Sequence, residues 1–160
     1  MNTLILTWNT FFSSYKLDRF FNDFHFPEGK DILTDAEEWD RSPDHFNWSI
    51  ADYKNAHAGD RFFFIRVGYD KPTGIVGVGH FTSEPYEDID WSGQDHPTRY
   101  MDMDFETIVD PTTDKVLPTA ALAAAIPEMD WTRGRSGKIV SPEIAAKLEE
   151  LWQKHLGSIL

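Results

Sequence analysis

Apolar and polar positions along this chain alternate in short blocks, and most blocks have the period of strands. Residues 3–8 form a β-branched and apolar run that stops at Asn9-Thr10, which predicts a first strand. Arg61-Phe62-Phe63-Phe64-Ile65-Arg66-Val67 is too aromatic and too short for an exposed helix, so it predicts a buried strand. Residues 68–72 turn the chain into 74–81, a second strand in which Gly74, Gly77 and Gly79 interleave with larger residues. Glycine at that spacing leaves one face without side chains, open to close approach by another segment or a ligand. Residues 98–109 set Tyr100, Asp102 and Asp104 against Met101, Met103 and Phe105, as a half-buried strand does.

Helical periodicity is confined to fewer places. The alanine-rich stretch 117–126, set off by Pro118 and Pro127, predicts a short helix. Ser141-Pro142-Glu143 combines an N-cap serine with proline at the first helical position, and Ile144, Leu148, Leu151 and Trp152 then share one face of a C-terminal helix. Residues 11–46 mix aromatics (Phe11, Phe12, Phe20, Phe21, Phe24, Phe26) with an acidic stretch over 31–44, broken at Pro27-Glu28-Gly29 and Ser42-Pro43-Asp44. They read as helix and loop laid over the strands. With no repeat, linker or low-complexity tract, the expectation is one α+β domain over 1–160 that carries an expanded helical and loop insertion at about 11–46.

Composition narrows the classes. A chain of 160 residues without cysteine has no disulfide framework or thiolate metal site, and is long enough to bury a core without either. No apolar run approaches the ~20 residues that span a bilayer, and the N-terminus lacks the basic flank and cleavage site of a signal peptide, so a cytoplasmic location without membrane contact is expected. The net charge of −12 opposes non-specific attraction to phosphate backbones. It is uneven: residues 1–110 hold 21 Asp and Glu against 9 Lys and Arg, whereas 111–160 hold 6 against 6. The C-terminal third therefore repels an anion least.

Candidate chemistry is mostly absent. There is no phosphate loop, no GxGxxG turn, no HExxH and no Gly-x-Ser-x-Gly elbow. The six histidines are scattered without ligand spacing and read as surface or hydrogen-bonded residues, so no metal and no cofactor are expected. Asp102 and Asp104 share a strand face that reads more simply as solvated than as a cation site. No paired nucleophile and base is evident, so no catalytic residue and no enzyme activity are expected. Trp48 and Trp91 lie beside turn residues, the setting of a pocket mouth, whereas Trp131 and Trp152 sit among helix-flanking residues and read as core. Arg133-Gly134-Arg135-Ser136-Gly137-Lys138 is a basic, glycine-containing loop before a helix. Its Arg133, Arg135, Ser136 and Lys138 are candidates for holding a phosphate; the alternative is a solubilising loop.

Several motifs in order resemble one family: Leu6-Thr7-Trp8-Asn9, Asn47-Trp48-Ser49, Gly59-Asp60-Arg61-Phe62-Phe63-Phe64, 74–79, Trp91, and Ser136-Gly137 before the last helix. The set resembles an EVE-type domain of the PUA-like superfamily, related to YTH and ASCH domains. The resemblance implies a strongly curved, five- or six-stranded mixed sheet or pseudo-barrel with flanking helices. It also implies a pocket that reads a modified nucleobase flipped out of DNA or RNA. Carried over by position, Trp48 and Trp91 match the cage walls, Ser49 the residue that meets the modified group, and Asn9 the edge reader. Trp8 matches a third wall or plain core. Stacking on such walls contributes ~1–3 kcal/mol per base. Two other classes stay open: a module that binds a small metabolite or a protein, which the acidic surface favours, and an RNA-processing hydrolase. Any effector activity would come from a separate protein.

Overall fold

The computed structural model describes residues 1–35, 39, 43, 46–89, 97–132 and 136–160. In chain order the elements are β1 (Thr3–Asn9), α1 (Leu17–Asp23), β2 (Ile32–Leu33), β3 (Asn47–Ser49), β4 (Arg61–Val67), β5 (Gly74–Phe81), β6 (Tyr86–Ile89), β7 (Pro97–Val109), β8 (Leu117–Pro118), α2 (Thr119–Ala125), β9 (Lys138–Ile139) and α3 (Pro142–Ile159). The four strands with a clear apolar pattern form where the periodicity places them. So do the two C-terminal helices, and α3 starts on Ser141, whose side chain accepts the Ile144 amide at 3.2 Å.

These strands make a mixed α+β sheet in which β1 runs parallel to β4 while β4–β5 and β5–β7 are antiparallel. The sheet corrects the expectation of a strongly curved five- or six-stranded pseudo-barrel. Among the described residues nine strands take part, along an open path β2-β7-β5-β4-β1-β9, with β3 and β6 on β7 and β8 on β5. The path ends in two-residue strands that do not pair with each other. The chain leaving β3 instead acts as a strap. Ile50 N–H donates to the Arg99 carbonyl at 2.9 Å, Ala51 and Asp52 N–H to the Ser136 and Gly137 carbonyls at 3.0 and 2.9 Å, and Gly137 N–H to the Ile5 carbonyl at 2.8 Å.

Alternation along the strands divides the core between two faces. Trp8 of β1 stacks on Phe20 of α1, Phe105 of β7 meets Phe24 at the C-cap of that helix, and Phe64 of β4 lies against both Trp8 and Phe105, so the segment after β1 covers one face with aromatics. Each such ring, when fully buried, contributes about 1.5–3 kcal/mol. The glycines of β5 serve this packing: a Cβ on Gly77 would lie 2.8 Å from the Phe105 ring, and one on Gly79 would lie 2.8 Å from Phe62 and 2.0 Å from the Asp104 carbonyl oxygen. The close approach anticipated at these glycines is thus made by the neighbouring strand and two rings. On the opposite face α3 buries Leu148 and Trp152. Among the described residues, no helix is long and apolar enough to cross a membrane.

Candidate functional site

Three segments far apart in sequence meet at Thr7. Its carbonyl accepts the Trp48 indole N–H at 3.2 Å, and its own N–H donates to the Ser136 hydroxyl at 3.0 Å. Gly137 makes this meeting possible. Its φ is +81°, and a Cβ there would stand 2.4 Å from Ile50 Cα, so only glycine lets the segment before β9 lie against the chain leaving β3. The end of β1, the β3 tryptophan and the approach to β9 therefore share one locale.

Within it, the candidate residues have different surroundings. Trp48 is 7% exposed, with its ring edge-on to Phe64 at 4.8 Å and Tyr15 at 5.7 Å and roughly parallel to Phe46 at 6.3 Å. Ser49 is half-buried and opposite Tyr100 of β7. Trp8 is core: it is 0% exposed, stacks on Phe20 at 5.1 Å and Phe64 at 5.6 Å, and donates its indole N–H to the Tyr15 carbonyl at 2.7 Å. The third-wall reading of Trp8 gives way to that packing, because neither ring face is left for a base. Asn9 spends its side-chain oxygen on the amides of Phe11 and Phe12, at 3.0 and 3.2 Å, and so shapes the loop after β1. Ser136 is held by Thr7 and Ala51, and the Lys138 ammonium lies 3.3 Å from Asp52. Trp91, Arg133 and Arg135 lie outside the described residues.

Two polar groupings were not anticipated. On the β3–β7–β6 surface, Asn47 donates to the Tyr86 hydroxyl at 2.5 Å, and Tyr86 donates to Asp102 at 2.6 Å. Burial first, and then this bond to a carboxylate, raise the Tyr86 phenol to about 12. The Asn47 side-chain oxygen is buried without a partner. The second grouping lines a cleft of about 470 Å³ between α3 and the sheet, whose walls include Val78, Ala145 and Trp152. There Arg61, its side chain 9% exposed, is gripped by Glu149, with Nε to Oε1 at 2.6 Å, and by Glu106; His80 lies 3.6 Å from Glu106. Burial works against the guanidinium charge, but Glu149 and Glu106 outweigh it and raise its pKa. One signal was available for this cleft: arginine opens a strand that is otherwise almost wholly apolar. Among the described residues, no cluster of three or more His, Asp or Glu is arranged to hold a metal ion.

The class this architecture defines is an α+β protein built on an open mixed sheet with an aromatic core on one face. No protein-family model matches the chain, and no curated protein does. A solved structure that is similar is the X-ray crystal structure of a protein from Pseudomonas putida, a structural-genomics target. It is 16% identical, with a TM-score of 0.45 and coverage of 93% of this chain and 98% of that one.

Proposed function

We propose that this chain is an EVE-type, PUA-like binding module that receives a modified nucleobase from DNA or RNA and has no catalytic activity of its own. The observation that carries the reading is the meeting at Thr7, where Trp48 and Ser136, 41 and 129 positions away, both bond one residue of β1. These are the motifs whose order resembles the family, and their convergence is what a shared site requires. In this reading Trp48 presents a ring to the base and Ser49 meets the modified group. Trp91 supplies the second wall, and Arg133 and Arg135 contact the strand's phosphates. Cleavage or modification of the nucleic acid would fall to a separate effector protein.

The test is a set of binding isotherms for oligonucleotides carrying methylated or hydroxymethylated cytosine, or methylated adenine, against their plain counterparts. Trp48→Phe keeps an aromatic ring at that position but removes the indole, and is expected to lose discrimination with an unchanged salt slope. Arg133→Ala with Arg135→Ala is expected to keep the preference while flattening the salt dependence by up to about two units of slope. Wild-type protein that shows no preference for any modified base sinks the reading. A second reading, a small-metabolite module, draws on the cleft beside Arg61, whose size lies in the range of ligand pockets. It requires binding that is insensitive to the nucleobase and abolished by changes in that cleft.

A further inference from the structure

Beyond the Thr7 locale, the surface carries an arrangement of rings that packing does not account for. Phe11, Phe12 and Tyr69 are 53%, 71% and 75% exposed, yet they form one cluster. Phe11 lies 4.9 Å from Phe12 and 5.7 Å from Tyr69, and Phe12 lies 6.4 Å from Tyr69, with interplanar angles of 87°, 79° and 62°. An edge-to-face contact covers a face of one ring only, and at these exposures other ring faces remain open to solvent. Rings left this exposed contribute little burial energy to the folded chain, and a contiguous aromatic patch marks an interaction surface.

The backbone that displays these rings is built to do so. The Asn9 side chain caps the Phe11 and Phe12 amides and fixes the loop on which both rings stand. On the other side, Gly68 turns with φ +104° directly before Tyr69, and a Cβ there would be 2.5 Å from the Asn9 oxygen, so the two loops are interlocked. The Lys16 ammonium closes the first loop from beneath by donating to the Phe11 and Thr10 carbonyls at 2.7 and 3.3 Å. Thr10, 5% exposed, donates to Asp70 at 3.0 Å and accepts from the Arg66 guanidinium at 3.1 Å, so the acidic group nearest the patch is matched by a buried cation.

We propose that Phe11, Phe12 and Tyr69 are a stacking platform for unpaired bases of a nucleic-acid strand, next to the base held near Trp48; this rests on the nucleobase reading above. The occupant follows from chemistry. Flat rings with exposed faces stack on bases of any identity. Two exposed lysines belong to the loops that carry the rings, Lys16 through its bond to the Phe11 carbonyl and Lys71 two positions after Tyr69, so on a molecule of net charge −12 these loops offer a polyanion cations. Position agrees: Asn9, which organises the platform, is two residues from Thr7 on the same strand. Bases flanking the recognised one then gain affinity without adding sequence preference.

The test compares wild type with the variant Phe11→Ser, Phe12→Ser, Tyr69→Ser, whose exposed positions leave the core untouched and whose thermal midpoint checks this. Ligands are a single-stranded oligonucleotide of about ten nucleotides carrying the preferred modified base, and the corresponding single modified nucleotide. Expected is a loss of at least about tenfold in oligonucleotide affinity, with single-nucleotide affinity, base preference and salt slope unchanged. Unchanged oligonucleotide affinity, with the preference for the modified base intact, overturns the platform and leaves the nucleobase reading standing. An equal loss on the single nucleotide also overturns it, because the rings then act on the pocket itself. Light scattering that shows the variant dissociating a wild-type dimer, with oligonucleotide affinity unchanged, assigns the rings to a protein interface instead. Wild type that binds no oligonucleotide overturns both.

Discussion

Replacing Gly79 by alanine is expected to separate two central strands at a cost that can be worked out from the geometry. The residue pairs with Phe105 across β5 and β7, beside a register shift, and its φ lies outside the left-handed region, so alanine adds no backbone strain there. The whole effect is steric. The new Cβ would stand 2.0 Å from the Asp104 carbonyl oxygen, 2.8 Å from Phe105 Cα and 2.8 Å from the Phe62 ring. Ordinary contact begins near 3.4 Å, so the neighbouring strand must retreat by roughly 1.4 Å. Overpacking of this kind costs about 1–3 kcal/mol, and stretching about two ladder hydrogen bonds adds about 1 kcal/mol each. The sum, about 3–5 kcal/mol, is a large part of a usual domain stability of ~5–15 kcal/mol. In a urea titration with a slope of about 2 kcal/mol/M, the midpoint should fall by about 1.5–2.5 M. A midpoint within about 0.3 M of wild type would refute the reasoning, since a strand that moves aside so cheaply was never in tight contact.

Other expected outcomes use the same physics. Gly157→Ala, in α3 with nothing within 4 Å of the new Cβ, should raise stability by about 0.5–1 kcal/mol in the same titration. Trp8→Phe should cost about 1–2 kcal/mol through the lost bond to Tyr15 and the smaller ring, yet leave any discrimination between bases unchanged, in contrast to Trp48→Phe. Arg61→Ala should cost about 2–4 kcal/mol by urea unfolding. That is less than for a fully buried pair, because the Glu106 and Glu149 side chains are 34% and 38% exposed and reach water. For Tyr86 the folded phenol, at about 12, lies above its ordinary 10.0, so its contribution to stability is complete below pH 10 and is lost as pH rises towards 12. Phenolate absorbance should show a tyrosine titrating near 12 that is lost in Tyr86→Phe, while Tyr15, whose phenol burial and the bond to Asp23 raise further, stays un-ionised in both proteins.

Local pattern carried far into this fold. β4, β5 and β7 have enough residues for their period to show, and α3 announces its start through Ser141-Pro142. β2, β8 and β9 have two residues each, too few for any period, and β6 (Tyr-Glu-Asp-Ile) is polar enough to resemble a loop. Openness of the sheet depends on which strand ends meet, a long-range fact that no short window contains. The same limit applies to side chains. Trp8 and Trp48 sit in similar turn-flanked contexts, and only the arrival of α1 decides that Phe20 covers Trp8. Asn9 was legible as a polar residue at a strand end, but the use of its oxygen was set by the loop it begins. The Arg61 cleft joins β4, β7 and α3 across 45 and 88 positions, and charge alone does not reveal that pairing.

The segment at Gly137, held between β1 and the strap after β3, has a consequence for the order in which the molecule assembles. The aromatic face is complete by Phe105, whereas the bond from Thr7 to Ser136 closes a loop of 129 residues. Closing a long loop costs only slightly more than closing a short one, but it waits for the distant segment to arrive. Docking of this segment is therefore a late event, held by a two-residue strand and a handful of amides. The reverse event is a local opening that releases this segment while the ring-lined face stays shut. The amides of Thr7, Ala51, Asp52 and Gly137 should then exchange with solvent deuterium as one cooperative unit, earlier than those of β4.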